Sequence, residues 1–167
     1  AMCIVTALGS SLFNLMLDPD NDTAKAIADK FPRGPGWPDR GAVPFTSATK
    51  WSAVNFLDRG AYVVGAPEYI LGQDFAALEK RTAPYAAQGC RVLLLAQCDG
   101  AEIGRLHGVV IPLALLVLEN PIRPNAPKVF DYFHTQGVDV KVISGDNPVT
   151  VSAVAAQAGI RNAEQWV

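Results

Sequence analysis

The run Val109 to Leu118 (VVIPLALLVL) sets the strictest limit on how this chain folds. Its ten residues include no charged or hydrogen-bonding side chain, so the segment has no polar face to turn toward water. It is about half of the ~20 residues that a helix needs to span a bilayer, and Pro112 interrupts it. A strand buried on both faces has this character, and such strands belong to parallel sheets covered by helices. The residues that follow fit that grammar. Pro124 to Gln136 places Val129, Phe130 and Phe133 on one helical face, Val138 to Ile143 (VDVKVI) reads as a strand, and Pro148 to Ala158 reads as a helix stopped by Gly159. Strand, helix, strand, helix makes a βαβα unit. Two strands do not complete a doubly wound sheet, so 109–167 reads as half of a domain.

Residues 1–108 follow a different, mixed pattern. Thr23 to Phe31 carries Ala24, Ile27, Ala28 and Phe31 at helical spacing, behind Asp18, Asp20 and Asp22. Four prolines and three glycines between Pro32 and Pro44 make a loop. Phe45 to Phe56 and Ala61 to Val64 read as strands joined through Asp58-Arg59-Gly60, a hairpin signal. Pro67 suits the first turn of a short helix, Gln73 to Ala87 reads as a second helix closed by Gly89, and Arg91 to Gln97 as an apolar strand. Asp99-Gly100 then turns the chain into one more strand ending near Gly108.

Composition excludes several classes of partner. Half of the 167 residues are hydrophobic and 18% are charged, which is incompatible with disorder. The net charge of −2 is spread evenly, so there is no basic patch to attract nucleic acid or anionic lipid. Cys3, Cys90 and Cys98 are odd in number and lack metal-ligand spacing, in keeping with a reducing compartment. His107 and His134 have no cysteine or carboxylate at ligand spacing, so no metal site is expected. The N-terminal residues lack the basic-then-apolar pattern of a signal segment. Neither the dinucleotide glycine fingerprint nor a P-loop is present, and no serine, cysteine and histidine grouping suggests a hydrolytic triad.

Four segments carry residue types suited to binding. Ser144-Gly145-Asp146-Asn147-Pro148 lies where a strand runs into a helix, with Asn147 suited to the N-cap and Pro148 to the first helical position. Helix N-termini at that edge of an α/β sheet receive anions, although an ordinary strand-to-helix turn reads the same way. In Phe45 to Ser52 (FTSATKWS), an aromatic ring and a lysine five residues on are suited to a base and its phosphates. The alternative is a core phenylalanine and a solvated lysine. Gly65-Ala66-Pro67-Glu68 would let a ligand approach the backbone closely, or simply turn the chain into a helix. Arg91 puts a charge at the mouth of a very apolar strand, where many arginines merely pair on the surface.

In order, these segments resemble the P-type cation-transporting ATPases. FTSATKWS is similar to the family's F-S-x-x-x-K-x-x-S, VVGAPE to K-G-A-P-E, and CRVLLLA to the strand bearing its phosphate-side arginine. ENPIRP is similar to D-P-x-R, and SGDNPVTVSAVAAQAGI to T-G-D-N-x-x-T-A-x-x-I-A-x-x-x-G-I. The resemblance runs from about Asp22 to Ile160. It implies an α/β chain: an α+β nucleotide-binding domain over 1–108 with an antiparallel sheet and flanking helices, then a partial Rossmann-like phosphorylation-domain segment over 109–167. It also implies that Phe45 stacks on adenine, Lys50 lines the pocket, Asp22 lies near the adenine amino group, Gly65 and Ala66 pass beneath the ring, and Arg91 reaches the phosphates. Asn120 and Arg123 fall in the D-P-x-R position, and Ser144, Gly145 and Asp146 in the loop that receives the γ-phosphate. The implied ligand is ATP with Mg2+.

Departures from the family pattern temper that expectation. Val64 stands at a lysine position, Asn120 at an aspartate position, and Ser47 and Thr49 at positions often basic, so weaker ATP binding is expected. The D-K-T-G-T segment with the phosphorylated aspartate is absent, since Asp29-Lys30 continues into Phe31-Pro32 within an amphipathic pattern. The later G-D-G-x-N-D loop is absent too. The chain is therefore expected to bind nucleotide without turning it over, as a cytoplasmic portion of a plasma-membrane protein. Its implied partners are the remaining phosphorylation-domain half, the actuator domain and the transmembrane domain of one polypeptide, with self-association through the incomplete sheet as a further expectation. The alternative is a non-catalytic α/β module that docks a partner or itself. A haloacid-dehalogenase-type phosphatase would need a nucleophilic aspartate loop, and none is present.

Overall fold

The computed structural model describes residues 23, 25, 27, 29, 37–119 and 121–165. Asp22 and Asn120 lie outside the described residues. Two compact units divide the chain: one comprises 37–78 and 92–117 with the described residues before 37, and the other comprises 79–91 and the described residues from 118 onward.

A five-stranded sheet organises the first unit. Its strands are β1 (Asp39–Val43), β2 (Trp51–Phe56), β3 (Gly60–Gly65), β4 (Arg91–Cys98) and, after a small hairpin of β5 (Gly100–Glu102) and β6 (Arg105–His107), β7 (Ile111–Leu118). The spatial order is β1-β2-β3-β4-β7, with β1 through β4 antiparallel to their neighbours. The expected β2–β3 hairpin is present, its register running from Trp51 opposite Gly65 to Phe56 opposite Gly60. Alternation sends Trp51, Ala53, Ala61, Val63, Leu94, Ala96 and Cys98 into one core cluster with Val43, Ile70 and Ala101. Ile70 reaches it from α1 (Pro67–Leu71), which begins at Pro67 as the sequence suggests. Val54, Phe56, Tyr62, Val64 and Leu95 are buried as well, so the central strands are covered on both faces. Trp37, Phe56 and Tyr62 form an aromatic trio with centroids 5.5–6.0 Å apart, and the Arg59 guanidinium lies 4.2 Å from the Trp37 ring centroid. Thr23, Lys25, Ile27 and Asp29 are helical, with Ile27 fully buried.

Asn55 ties β2 to the small hairpin. Its side-chain amide donates to Ala101 O and its Oδ1 accepts from Ala101 N, both at 2.9 Å. A side chain thus imitates one rung of a ladder, satisfying backbone groups that would otherwise be stranded.

Besides the loop expected over Pro32 to Pro44, whose residues Asp39–Val43 form β1, three sequence expectations are corrected here. The strand expected over Phe45 to Phe56 begins only at Trp51. Ahead of it the Thr46 and Thr49 hydroxyls share a 2.8 Å bond, Thr46 Oγ1 accepts from Thr49 N, and Lys50 N donates to Thr46 O at 2.9 Å. Threonine side chains here hold a turn in place of a ladder. The apolar run from Val109 does form a strand, but beside β4 in the antiparallel sheet of β1 to β4, not as the start of a separate parallel sheet. β4 carries an open row of backbone donors and acceptors, and an apolar strand that follows it closely in the chain can cover that edge.

The second unit holds most of α2 (Ala76–Ala87, preceded by a 3₁₀ turn at Gly72–Phe75), and α3 (Ala126–Thr135) and α4 (Pro148–Gln157). Both α3 and α4 match their expected positions. The third correction is Val138 to Ile143, which forms no strand. A strand exists only as a member of a ladder, and among the described residues none pairs with this one. Gly137, at φ +69°, instead closes the C-terminus of α3, with Val138 N donating to Phe133 O.

Candidate functional site

The first cluster of candidate residues gathers at the end of the sheet where β2 begins and β3 ends. Phe45 and Lys50 belong to the connection between β1 and β2, and Phe45 is 58% exposed, so it is not a core residue. Lys50 adopts φ +58°, a conformation that costs a non-glycine residue energy and that the Thr46–Thr49 turn imposes. Its carbonyl then accepts a 2.9 Å bond from Ala66 N. Gly65 lies directly across the ladder from Trp51. A Cβ at Gly65 would sit 2.5 Å from Trp51 Cα and Cβ, and closer still to Lys50 O, so only glycine fits. Ala66 in turn caps α1, its carbonyl accepting from Tyr69 N and Ile70 N at 3.1 Å. The two segments, 45–50 and 64–68, are therefore fixed to one another through backbone at Lys50 and Ala66, and the first of them carries the exposed ring of Phe45.

The second cluster lies wholly in the other unit. Arg91 NH2 meets Asp146 Oδ2 at 2.5 Å, with side chains 36% and 45% exposed. Solvent screens such a pair, so its worth is geometric more than energetic. The loop that presents Asp146 is held by its own side chains: Asp146 N donates to Ser144 Oγ at 3.1 Å, and Asn147 Oδ1 accepts from Val149 N and Thr150 N. This is the N-cap anticipated from Asn147-Pro148. Helix α4 then runs along residues 88–91. Thr150 Oγ1 donates to Cys90 O at 3.3 Å, and Gln157 Nε2 donates to Gln88 O at 3.0 Å. Gly89, at φ +80°, lies against Val154, where an added Cβ would come within 3.0 Å of Cγ2. Burial, reinforced by the Glu119 charge, raises the Cys90 thiol above its ordinary pKa. Arg123 is exposed, and among the described residues no group of three histidine, cysteine or acidic side chains could hold a metal.

No family model matches the chain. Individual proteins do. It is 49% identical over 142 residues to "Calcium-transporting ATPase CtpE" of Mycobacterium tuberculosis, an alignment covering 84% of this chain and 18% of that protein. Over 141 residues it is 45% identical to the protein of the same name from Mycolicibacterium smegmatis. Over 167 residues it is 36% identical to "Probable cation-transporting ATPase exp7" of Streptococcus pneumoniae, covering 96% of this chain and 21% of that one. The chain belongs to the P-type cation-transporting ATPases. It spans about one fifth of the length of the curated relatives it matches.

Seen as a P-type ATPase segment, the structure accounts for several of its peculiarities. Val64, at the family's lysine position, is 1% exposed, as an apolar side chain there requires. Lys50, Gly65 and Ala66 come together, with Phe45 exposed five residues before Lys50, and Arg91, Ser144 and Asp146 form another group, with Gly145 between the last two. Asp22 and Asn120 are not described. Two structural supports went unassigned in the sequence. Thr150 is visible in the T-G-D-N-x-x-T pattern, but nothing local shows that its hydroxyl reaches Cys90. Asn55 reads as a polar residue in an apolar strand, and its partner lies 46 residues away. No described helix of this ATPase segment is long and apolar enough to cross a membrane.

Proposed function

We propose that this chain binds Mg-ATP and presents it to a phosphorylatable aspartate carried elsewhere in the same polypeptide, so driving cation transport across a membrane. The observation that supports this most directly is the Ala66–Lys50 backbone bond. It fixes the F-S-x-x-x-K-like segment, which carries the exposed Phe45, to the G-A-P-E-like one. In this reading Phe45 stacks on the adenine, Lys50 lines the pocket, and the side-chain-free Gly65 with Ala66 lets the ring approach the backbone. Asp22 would accept from the adenine amino group. Arg91 neutralises phosphate charge, while Asn120, Arg123, Ser144, Gly145 and Asp146 belong to the phosphoryl-transfer side. Positioning and charge neutralisation carry most of such a reaction. Mg2+ enters with the phosphates, which needs no dedicated cage of protein ligands.

The same reading assigns residues 1–108 to a nucleotide-binding domain and 109–167 to a segment of the phosphorylation domain, both on the cytoplasmic side of a plasma membrane. Calcium, for which the 45–49% identical relatives are named, is the proposed cargo. The remaining phosphorylation-domain half, the actuator domain and the transmembrane domain are the proposed partners. In support, Phe133, Val138, Val142 and Ile143 are exposed apolar residues of the second unit, Ile143 at 98%.

Titration of the 167-residue chain with ATP, ADP and adenosine tests the proposal, following the amide NMR signals of Lys50, Trp51, Gly65 and Ala66. Stacking and burial of one ring are worth ~1–3 kcal/mol, so saturation is expected only near millimolar ligand, about −4 kcal/mol in all. A folded protein with flat titrations for all three ligands would overturn it.

A further inference from the structure

We propose that Thr46 and Thr49 are positioning residues for the nucleotide site: their paired hydroxyls hold the 45–50 connection in its binding form before any ligand arrives. This rests on the nucleotide reading above and deepens it by naming what sets the affinity of that site. Residues 47–49 make a single turn. Thr46 caps its start, with Thr46 Oγ1 accepting from Thr49 N at 3.0 Å and Thr46 O accepting from Lys50 N at 2.9 Å. Lys50 closes it at φ +58°, the left-handed position that glycine usually takes.

A lone turn is a costly nucleus, and a lysine in the left-handed region works against it further. A relay of hydroxyls offsets that cost. Thr49 Oγ1 donates to Trp51 O at 3.4 Å, so in its 2.8 Å bond with Thr46 it is the acceptor and the Thr46 hydroxyl is the donor. Each hydroxyl thus donates once and accepts once. The relay ties the turn to Trp51, the first residue of β2, while Lys50 O ties it to Ala66 N. Phe45 directly precedes Thr46 and Lys50 directly follows Thr49, so freedom in the turn is freedom at both binding residues. Apparent affinity falls with the fraction of molecules in which the turn is formed, because the ligand must otherwise order it. Both threonines are half-buried and lie outside the core cluster, so removing one hydroxyl loosens the turn without opening the core.

The test is binding of ATP and adenosine to the full 167-residue chain carrying Thr49→Val, Thr46→Val, both, or Thr49→Ser, each first shown to be folded by its amide spectrum. Valine keeps the branched shape and removes the hydroxyl, whereas serine keeps the hydroxyl. Thr49→Val is expected to weaken both ligands by the same factor, about two- to tenfold, the shift that one net hydrogen bond commands. Hydrogen exchange at Lys50 N, whose bond to Thr46 O closes the turn, should rise in the same variant. Thr49→Ser should bind as the parent does, and the double variant should lose little more than Thr46→Val alone, since both changes break one relay. Should one valine variant not fold, the other carries the comparison. Unchanged affinity in a folded valine variant overturns the proposal while nucleotide binding stands. An equal loss in Thr49→Ser also overturns it, because the hydroxyl is then not the cause. A loss confined to ATP does the same, since it places the hydroxyl on the phosphates and not in the turn. If the parent chain binds neither ligand, the nucleotide reading fails and the positioning role with it.

Discussion

The amide of Ala66 donates to the carbonyl of Lys50 at 2.9 Å, and one residue earlier Gly65 faces Trp51 with no room for a side chain. The contact atoms are strand backbone and a buried tryptophan, neither of which can step aside. Gly65→Ala is therefore expected to destabilise the chain by about 1–3 kcal/mol, the usual cost of overpacking. Urea titration should show a lower midpoint at an unchanged slope. A midpoint equal to that of the parent would mean that β2 and β3 can spread at this end.

Phe45 should separate stability from binding. Its ring is more than half exposed, so Phe45→Ala is expected to change unfolding free energy by less than about 0.5 kcal/mol. If the ring is a stacking platform, the same substitution removes the amide shifts that ATP induces at Lys50 and Gly65. Retention of those shifts in a well-folded Phe45→Ala protein would move the adenine site elsewhere.

Asn147 caps α4 with one side-chain oxygen that accepts from Val149 N at 3.0 Å and Thr150 N at 3.4 Å. Asn147→Ala is expected to cost about 0.5–2 kcal/mol and to speed hydrogen exchange at Val149 and Thr150. Asn147→Asp should restore most of the loss, because a carboxylate accepts the same bonds and is favoured at a helix N-terminus. Equal losses in the two variants would argue that the asparagine acts through its NH2 group instead.

Local signals in the chain made most elements legible and left their pairing obscure. Asn147-Pro148 announced the start of α4 and Gly159 its end, because capping is decided within a few residues. The Asp58-Arg59-Gly60 turn announced the β2–β3 hairpin in the same way. Val138 to Ile143 has the composition of a strand, but only a neighbour could make it one. Val109 to Leu118 is apolar enough for any sheet, and its place beside β4 depends on an edge more than ten residues earlier. At the candidate sites, residue types were readable where motifs resemble a family, as at Phe45, Lys50 and Arg91. The threonine turn that gives Lys50 its positive φ, and the Thr150 bond to Cys90, depend on geometry that no spacing announces.

Asn55 offers a measure of how the small hairpin is held. Asn55→Asp keeps an acceptor for Ala101 N but replaces the donor to Ala101 O with a second oxygen. Losing that bond and crowding two acceptors is expected to cost about 1–3 kcal/mol. Hydrogen exchange should rise first at Ala101 and His107, which pair across or beside the hairpin. Uniform acceleration over all five strands would show instead that the hairpin and sheet open together.

Cys90 and Cys98 make stability depend on alkaline pH. Both are buried free thiols, and for both the first cause of a raised pKa is burial, which disfavours the thiolate. For Cys98, bonds involving Gly100 and His107 work in the opposite direction and the Asp99 charge adds to the rise. In the unfolded chain a thiol ionises near pH 8.5, while in the folded chain it keeps its proton to higher pH. Above the unfolded value the folded state therefore binds more protons, and the linkage relation makes unfolding easier as pH rises. The thiol contribution is fully present below about pH 8 and is lost as pH climbs through the folded pKa. Urea unfolding under reducing conditions at pH 7.5 and 9.5 should show this decline. The Cys90→Ala/Cys98→Ala protein, whatever its baseline stability, should show a shallower one. An identical decline without the two thiols would assign the pH dependence to other groups.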